Sequence, residues 1–277
     1  MIRTIALALC LAAPLSTSAQ TLDKIVAKHL EARGGLDRLQ AIRTVRNIAR
    51  EPQGPTTDET LAPVVIVEEQ RPNLTRTTRL SSGLKAADYE EAVRNMKGDS
   101  NPLAAEQALC QDFETRLALR TGLRPTLNVS VSAFDGTSNW EWSYLRAAVR
   151  KLPGKQVHHF SIVSPIVKNG SRLELTGKAT SEGHACYRLR VTSRQGVVRN
   201  VFIDAQTYLE VAVDYKPQEG SPGWRDTYDS WKVVDGVTVP HTITSIENSR
   251  RYLRRIDKVE FNVPIDDQRF AMPTGVR

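Results

Sequence analysis

The most regular pattern along the chain is an alternation of apolar and polar residues in short runs between residues 171 and 246. Because successive side chains of a β-strand point to opposite faces, each run predicts a strand with one apolar face. The alternating apolar residues are Leu173 and Leu175, then Tyr187, Leu189 and Val191, and then Leu209, Val211 and Val213. The runs are separated by turn sequences such as 204–207 and Asp235-Gly236, which are too short to contain a helix. This region therefore predicts a wide antiparallel sheet whose apolar face needs a cover.

Runs further upstream predict more strands of the same sheet. Residues 61–70 and 74–80 predict a strand pair, and 127–134 predicts another strand, with Val129 and Val131 on one face. The next predicted strand carries Trp140, Trp142 and Tyr144, which share a face because they are spaced two residues apart. An aromatic stripe of this kind belongs either to an ordinary core or to the wall of a hydrophobic pocket.

Helical periodicity is found at the start of the chain and in the middle. Thr21 is the predicted N-cap of a helix that Gly34-Gly35 ends, and 36–42 predicts a short second helix. Residues 86–96 and 103–121 predict two helices, so that 82–125 is a helical insertion between strands. This insertion either covers the sheet or forms a peripheral arm. Residues 145–152 predict a further short helix.

The N-terminus has the features of a signal peptide. Arg3 precedes an apolar run over residues 5–15, and small residues follow at 17–19, which predicts cleavage after Ala19. The alternative is a buried N-terminal helix. We expect an exported periplasmic protein with one domain over 20–277. The chain has 38 Lys and Arg against 31 Asp and Glu, a formal net charge of +7. This charge favours anionic partners such as membrane surfaces, and export argues against nucleic acid.

The sequence contains none of the common nucleophile, nucleotide-binding or metalloprotease motifs. His158 and His159 are neighbours, so on a strand they point to opposite faces and cannot bind one metal together. Each histidine is predicted to be a surface or turn residue. Adjacent carboxylates such as Glu68-Glu69 are typical of solvated charge, and the basic run 250–255 predicts the solvated face of a late strand. We therefore predict no catalytic residue, no metal site and no cofactor.

Two cysteines, Cys110 and Cys186, follow the predicted signal peptide. Disulfides form in oxidising compartments, so export predicts a bond between these two residues, which would pin the helical insertion to the sheet. The alternative is two free thiols, because Cys186 falls on the predicted wet face of its strand with Arg188 and Arg190.

Four segments together resemble a known family. They are TLDKIVAKHLEARGG at 21–35, FDGTSNW at 134–140, FIDAQTY at 202–208 and VDGVTVPH at 234–241. Their order and spacing are similar to those of the exported lipoprotein-carrier superfamily, the LolA/LolB-like or outer-membrane lipoprotein-sorting proteins. The resemblance covers most of 20–80 and 127–273, and the insertion at about 82–125 departs from it. It implies an α+β fold, in which one highly curved antiparallel sheet, an incomplete β-barrel, is covered by helices and holds acyl chains.

The pattern and the resemblance together predict a non-enzymatic, monomeric carrier that shields a lipid, a lipoprotein acyl chain or another apolar ligand. Its partners would be lipids or acylated proteins, and further envelope proteins. The predicted ligand-binding wall comprises Val129, Val131, Trp140, Trp142, Tyr144, Leu173, Leu175, Leu189, Val191 and Val211. The first alternative is an envelope interaction or assembly protein whose core is filled and takes no ligand. The second is a hydrolase whose site has no recognised motif.

Overall fold

Two pairs of α-helices form within the residues that the structure describes, one at the start of the chain and one between the third and fourth strands. The computed structural model describes residues 21–52, 64–71, 74–81, 83–122, 127–153, 166, 171–193, 196–215, 223–247 and 249–274. Within these residues the helices are α1 (Leu22–Ala32), α2 (Leu36–Ala41), α3 (Ala86–Asn95) and α4 (Ala104–Thr121), with a 3-10 helix at Asp267–Phe270. The predicted signal peptide and the His158-His159 pair lie outside the described residues.

Helix α1 begins and ends for local reasons that the sequence contains. The Thr21 side chain accepts a hydrogen bond from the Lys24 backbone N–H and caps the first turn. Gly34 and Gly35 follow the last turn with φ of 110° and 94°, values that a side chain disfavours. Ile25 and His29, one turn apart, are the buried residues of the helix.

One sheet dominates the fold. Its strands are β1 (Val45–Glu51), β2 (Val64–Arg71), β3 (Leu74–Leu80), β4 (Val129–Phe134), β5 (Asn139–Ser143), β6 (Ala148–Leu152), β7 (Arg172–Ser181), β8 (His184–Thr192), β9 (Val198–Asp204), β10 (Glu210–Tyr215), β11 (Trp224–Asp229), β14 (Thr242–Glu247) and β15 (Arg250–Phe261). They are ordered β6-β5-β4-β3-β2-β1-β15-β14-β11-β10-β9-β8-β7, and the described pairings are antiparallel. The hairpin β12 (Lys232–Val234) and β13 (Val237–Val239) forms a separate two-stranded sheet. The α+β class is confirmed, with a large curved antiparallel sheet that is not seen to close.

The two faces of this sheet carry different cores. Directly opposed residues of an antiparallel pair share a face, so the strand registers assign each residue to one side. The α1 face carries Ala49, Ile66, Ile243, Val213, Val201 and Leu189, and helices α1 and α2 cover it through Ile25 and Leu39. The α4 face carries Ile48, Val67, Leu80, Val131 and Trp142, and helices α3 and α4 cover it through Tyr89 and Leu109. Strand β2 is thereby buried on both of its sides.

The predicted helix at 145–152 is wrong. Residues 144–147 form a turn, with Ala147 at φ 46°, and β6 then pairs with β5 so that Val149 lies opposite Trp142. Leu145 and Val149 are spaced as on a helix face, but pairing with the edge of the sheet satisfies the backbone of this short segment instead.

The predicted disulfide is also wrong, since both cysteines are free and buried. Cys110 lies on α4 in the cluster over β1–β5, whereas Cys186 lies on β8 in a small cluster with Phe202 and Val211. Strands β15, β14, β11, β10 and β9 separate β1 from β8. A disulfide needs Cα atoms within about 7 Å of each other, and this order of strands keeps the two residues apart.

Candidate functional site

A small open groove lies on the α1 face. Its volume is about 190 Å³, and its lining residues are Glu51, Arg79, Trp224, Ser245, Glu247, Tyr252 and Arg254. The registers place all of them on one side: Tyr252 lies opposite Ser245, and Trp224 lies opposite Glu247. The groove is therefore built on the sheet face that α1 and α2 also cover.

The groove shows which way the sheet curves. Arg79 on β3 and Trp224 on β11 are separated by five strand-to-strand steps in the sheet order. Strands lie about 4.8 Å apart, so these residues would be roughly 24 Å apart in a flat sheet. Both nevertheless line one groove of about 190 Å³. The sheet therefore curls around this point, and the α1 face is its concave side.

The floor of the groove is a network of paired charges. Arg254 donates to Glu51 Oε1 from Nε at 2.9 Å and from Nη2 at 2.7 Å, and its Nη1 donates to Glu68 Oε1 at 2.5 Å. Arg79 Nη1 donates to Glu51 Oε2 at 2.7 Å. Burial would raise the pKa of Glu51, but the charges of Arg254 and Arg79 outweigh it and lower that pKa. The floor is thus a fixed ionic network with both signs of charge matched.

Aromatic rings form one side of the groove. Trp224 stacks on Tyr215 of the neighbouring strand, with ring centroids 5.1 Å apart and planes inclined by 20°. The Arg199 guanidinium lies 5.2 Å from the centroid of the Tyr215 ring. Tyr252, which is 42% exposed, lines the groove as well. This stack holds the Trp224 indole in a fixed orientation, because the indole packs on the Tyr215 ring and that ring packs on the Arg199 guanidinium.

A buried acid lies beside these rings. Asp226 is fully buried on the same face as Trp224, and its Oδ1 accepts from Ser245 Oγ at 2.5 Å. Burial raises the pKa of Asp226 to about 7, while hydrogen bonds from Ser245 and Tyr215 and the charge of Arg254 offset only part of that effect. Asp226 is therefore the carboxyl near the groove whose charge changes close to neutral pH.

Helix α1 is attached to the α1 face by a second polar group of residues. The ring Nδ1 of His29 lies 2.8 Å from the Tyr208 carbonyl oxygen, and its Nε2 lies 3.5 Å from Glu210 Oε1. Arg33, one turn further along the helix, donates to Glu210 Oε2 at 2.6 Å and to the Thr238 carbonyl at 2.8 Å. Burial lowers the pKa of His29. The prediction that each histidine is a surface or turn residue is therefore wrong for His29.

Helices α3 and α4 are attached to the opposite face by a different ionic network. Glu106 of α4 accepts from the Tyr89 hydroxyl at 2.6 Å and pairs with Arg76 Nη2 at 2.8 Å, all in the interior. Arg269 of the 3-10 helix joins this group through Glu69 Oε2 at 2.9 Å. Burial would raise the pKa of Glu106, but Arg76 and Arg269 lower it to about 2. The α3–α4 pair is thus a built-in cover of the α4 face.

The predicted ligand-binding wall is not one surface. Val129, Val131, Trp140 and Trp142 are buried on the α4 face, with Tyr144 packed against them. Leu189 and Val191 are buried beneath α1 on the other face, with Leu173 and Leu175 partly buried beside them. Val211 lies in the small cluster with Cys186, because a β-bulge between Glu210 and Ala212 shifts the register there.

Several site residues escape sequence reasoning because they look like surface charge. Glu68 and Glu69 are both buried, one on each face of β2, and Arg254 is buried within the basic run that was predicted to be solvated. The sequence does contain one sign that Glu68 is buried: it directly continues the apolar run 64–67, with no turn residue between them. A charge inside a buried strand requires a partner of opposite charge.

The described residues were also searched for metal-binding groups and for membrane-spanning helices. Among those residues, no group of three or more His, Cys, Asp and Glu side chains could hold a metal ion. None of the described helices is long and apolar enough to cross a membrane.

Comparison with known proteins identifies structural relatives but no close sequence relative. No family model matches the chain. No curated protein sequence matches it. A DUF1329 family protein from Desulfovibrio piger is similar at 10% identity and a TM-score of 0.49, over 90% of this chain and 96% of that chain. An outer membrane lipoprotein-sorting protein domain from Vibrio parahaemolyticus has 10% identity and a TM-score of 0.47, over 89% and 94%. A LolA superfamily protein from Nitrosomonas europaea has 11% identity and a TM-score of 0.47, over 91% and 98%.

The resemblance predicted from the sequence is confirmed, because lipoprotein-sorting and LolA superfamily structures are among those similar to this chain. At these identities and TM-scores the similarity is no guide to what the protein binds. What the protein binds has to be inferred from its own residues.

Proposed function

We propose that this protein is a non-enzymatic, periplasmic binding protein that shields an amphiphilic ligand, a lipid or an acylated protein, on the α1 face of its incomplete barrel. The observation that carries this proposal is the open groove on the concave side of the sheet. A groove of about 190 Å³ is smaller than the roughly 300–1,000 Å³ of pockets that enclose a whole ligand. It therefore takes the polar end of the ligand, and the apolar end needs a second surface.

We infer that this surface is formed by the partly buried Leu173 and Leu175 at the edge of the α1 face, since Leu189 and Val191 beside them are already buried beneath α1. One row of opposed residues runs across neighbouring strands from Trp224 through Tyr215, Arg199 and Val191 to Leu173. The row changes from polar and aromatic residues at the groove to aliphatic residues at β7, the last strand of the described sheet. Burial of apolar surface is worth about 25 cal/mol per Å², so an acyl chain along the aliphatic end gains the main part of its binding energy there.

One observation favours a second candidate, an envelope interaction or assembly protein with a filled core. Val129, Val131, Trp140 and Trp142 are covered by α3 and α4, so this half of the predicted wall is ordinary core. The two candidate functions predict different effects of a larger side chain at the partly buried Leu175. In a binding surface an added ring occupies the ligand's space, whereas in a filled core it overpacks.

The test replaces Leu175 by Trp and uses Leu145→Trp as the control, since Leu145 is 61% exposed in the turn after β5. Native mass spectrometry of the protein purified from the periplasm is expected to show a bound lipid. Leu175→Trp is expected to lose uptake of a fluorescent fatty-acid probe with little change in Tm, and Leu145→Trp is expected to retain uptake. Unchanged uptake combined with a destabilisation of about 1–3 kcal/mol would instead support the filled core.

A further inference from the structure

We propose that the groove recognises a neutral sugar unit, such as one hexose of an envelope glycan or of a lipid headgroup. This inference rests on the proposed function in one respect, since it names the chemistry of the polar end that the groove receives. It is carried by the matched charges of the floor, the aromatic side and the size of the groove.

The charges of the groove disfavour a charged ligand. Two arginines, Arg79 and Arg254, and two glutamates, Glu51 and Glu247, line it. An anionic headgroup would compete with Glu51 for Arg79 and would meet Glu247, which has no ion-pair partner among the described residues. A cationic headgroup would meet Arg79, which is 44% exposed in its side chain. A neutral ligand with many hydroxyl groups meets neither repulsion.

The polar floor also disfavours an acyl chain inside the groove. Covering Glu51, Arg79 and Arg254 with hydrocarbon would remove water from charged groups and return no hydrogen bond, which is costly. Sugar hydroxyl groups both donate and accept hydrogen bonds. They can therefore donate to the Glu247 carboxylate and accept from the Arg79 guanidinium, and the Ser245 and Tyr252 hydroxyls lie in the same groove.

The aromatic side suits the flat face of a pyranose ring. Trp224 is held by its stack on Tyr215, and Tyr252 lines the same groove. The C–H groups on one face of a pyranose are apolar and pack flat on an aromatic ring, while the hydroxyl groups point outward from the ring edge. A groove of about 190 Å³ is smaller than the roughly 300–1,000 Å³ of pockets that enclose a whole ligand, and this size favours a single ring.

The experiment compares ligands that share one ring and differ in charge. Binding of N-acetylglucosamine and methyl β-glucopyranoside, which are neutral, is measured by calorimetry beside protonated glucosamine and glucose 6-phosphate. We expect the neutral sugars to bind and both charged sugars to bind at least about tenfold more weakly, which corresponds to roughly 1.4 kcal/mol. Equal affinity for all of them, or no binding of the neutral sugars, overturns the sugar assignment.

Variants locate the binding in the groove. Trp224→Ala and Tyr252→Ala are each expected to weaken N-acetylglucosamine binding at least about tenfold, or roughly 1.4 kcal/mol. Tyr252 is half exposed, so its loss keeps the test valid if removing the stacked Trp224 impairs folding. Leu145→Ala, an exposed apolar residue in the turn between β5 and β6, is the control and is expected to bind as the unchanged protein does. Unchanged sugar binding in the two aromatic variants overturns the proposal.

Uptake of the fluorescent fatty-acid probe in the same preparations separates this inference from the proposed function. Fatty-acid uptake without sugar binding refutes the sugar assignment and leaves the carrier proposal standing. Sugar binding without fatty-acid uptake refutes the carrier proposal and leaves the sugar site standing.

Discussion

Replacing Asp226 by Asn tests the electrostatics of the α1 face through the pH dependence of folding. Burial raises the pKa of Asp226 from 3.8 to about 7. Below pH 3.8 the Asp226 carboxyl is protonated in both the folded and the unfolded chain, so it does not lower the free energy of unfolding. As the pH rises towards 7, the unfolded chain releases the proton while the folded chain retains it, so stability falls and the loss is complete above about pH 7. A difference of roughly 3 units at 1.36 kcal/mol per unit gives about 4 kcal/mol as the largest loss.

The assay is urea unfolding of the wild-type protein and Asp226→Asn between pH 4 and 8. Asparagine carries no charge and keeps an oxygen that accepts from Ser245 Oγ. The stability of the variant relative to wild type is therefore expected to rise with pH and to level off above pH 7. Other buried carboxylates such as Glu51 titrate in both proteins and cancel in the difference. Asp229→Asn, at an exposed position of the same strand, is the control. A difference that does not vary with pH would refute the reasoning.

Two further substitutions test packing and charge pairing. Gly34→Ala is expected to lower Tm strongly, because φ is 110° and the added Cβ would overlap the Gly236 carbonyl oxygen. Gly35→Ala has a similar φ but open space around the added Cβ, so it is expected to lower Tm clearly less. Equal losses of Tm would show that backbone strain alone decides. Arg254→Met is expected to lower the free energy of unfolding in urea by about 3–5 kcal/mol, because it leaves buried carboxylates at the groove floor without their cation. Arg255 is the exposed neighbour of Arg254, and Arg255→Met is expected to leave this free energy nearly unchanged. A cost for Arg254→Met no larger than for Arg255→Met would mean that the floor network is not important for stability.

The sequence predicted the elements well where the local signal and the tertiary environment agree. Helix α1 has its cap, its apolar stripe and its terminal glycines within 15 residues, at 21–35. The turn at 204–207 forms as predicted, with the Asp204 carboxylate accepting from the backbone N–H groups of Gln206 and Thr207. Both features depend on contacts between near neighbours in the chain, which is why pattern analysis finds them.

The division of the sheet into two covered faces could not be predicted from alternation. A period of two shows that Leu189 and Trp142 each lie on an apolar side of their strand, but it does not say whether these sides face the same space. The register through the nine intervening strands decides this, and it places Leu189 under α1 and Trp142 under α4. A single β-bulge at Val211 then moves that residue to the other side. Each of these outcomes depends on long-range pairing, which a local pattern does not encode.

The position of the groove follows from the same arrangement. An open sheet of thirteen strands is wider than the roughly ten that stay open without curling, and its two halves are covered by helices on opposite faces. On the concave side of β1, β15 and β14, helix α2 packs on Ala49, Ile256 and Ile243. Glu51, Arg254 and Ser245 lie two residues away along the same strands and line the groove. Buried polar side chains at this end of the strands need partners, which are either one another or a ligand. Glu51 and Arg254 do the first, and in the proposed sugar site Tyr252, Glu247 and the face of the stacked Trp224 do the second. A fixed ionic floor beside aromatic rings makes this part of the concave face suited to the polar end of a ligand rather than to an acyl chain, because hydrocarbon would remove water from the charged groups and return no hydrogen bond.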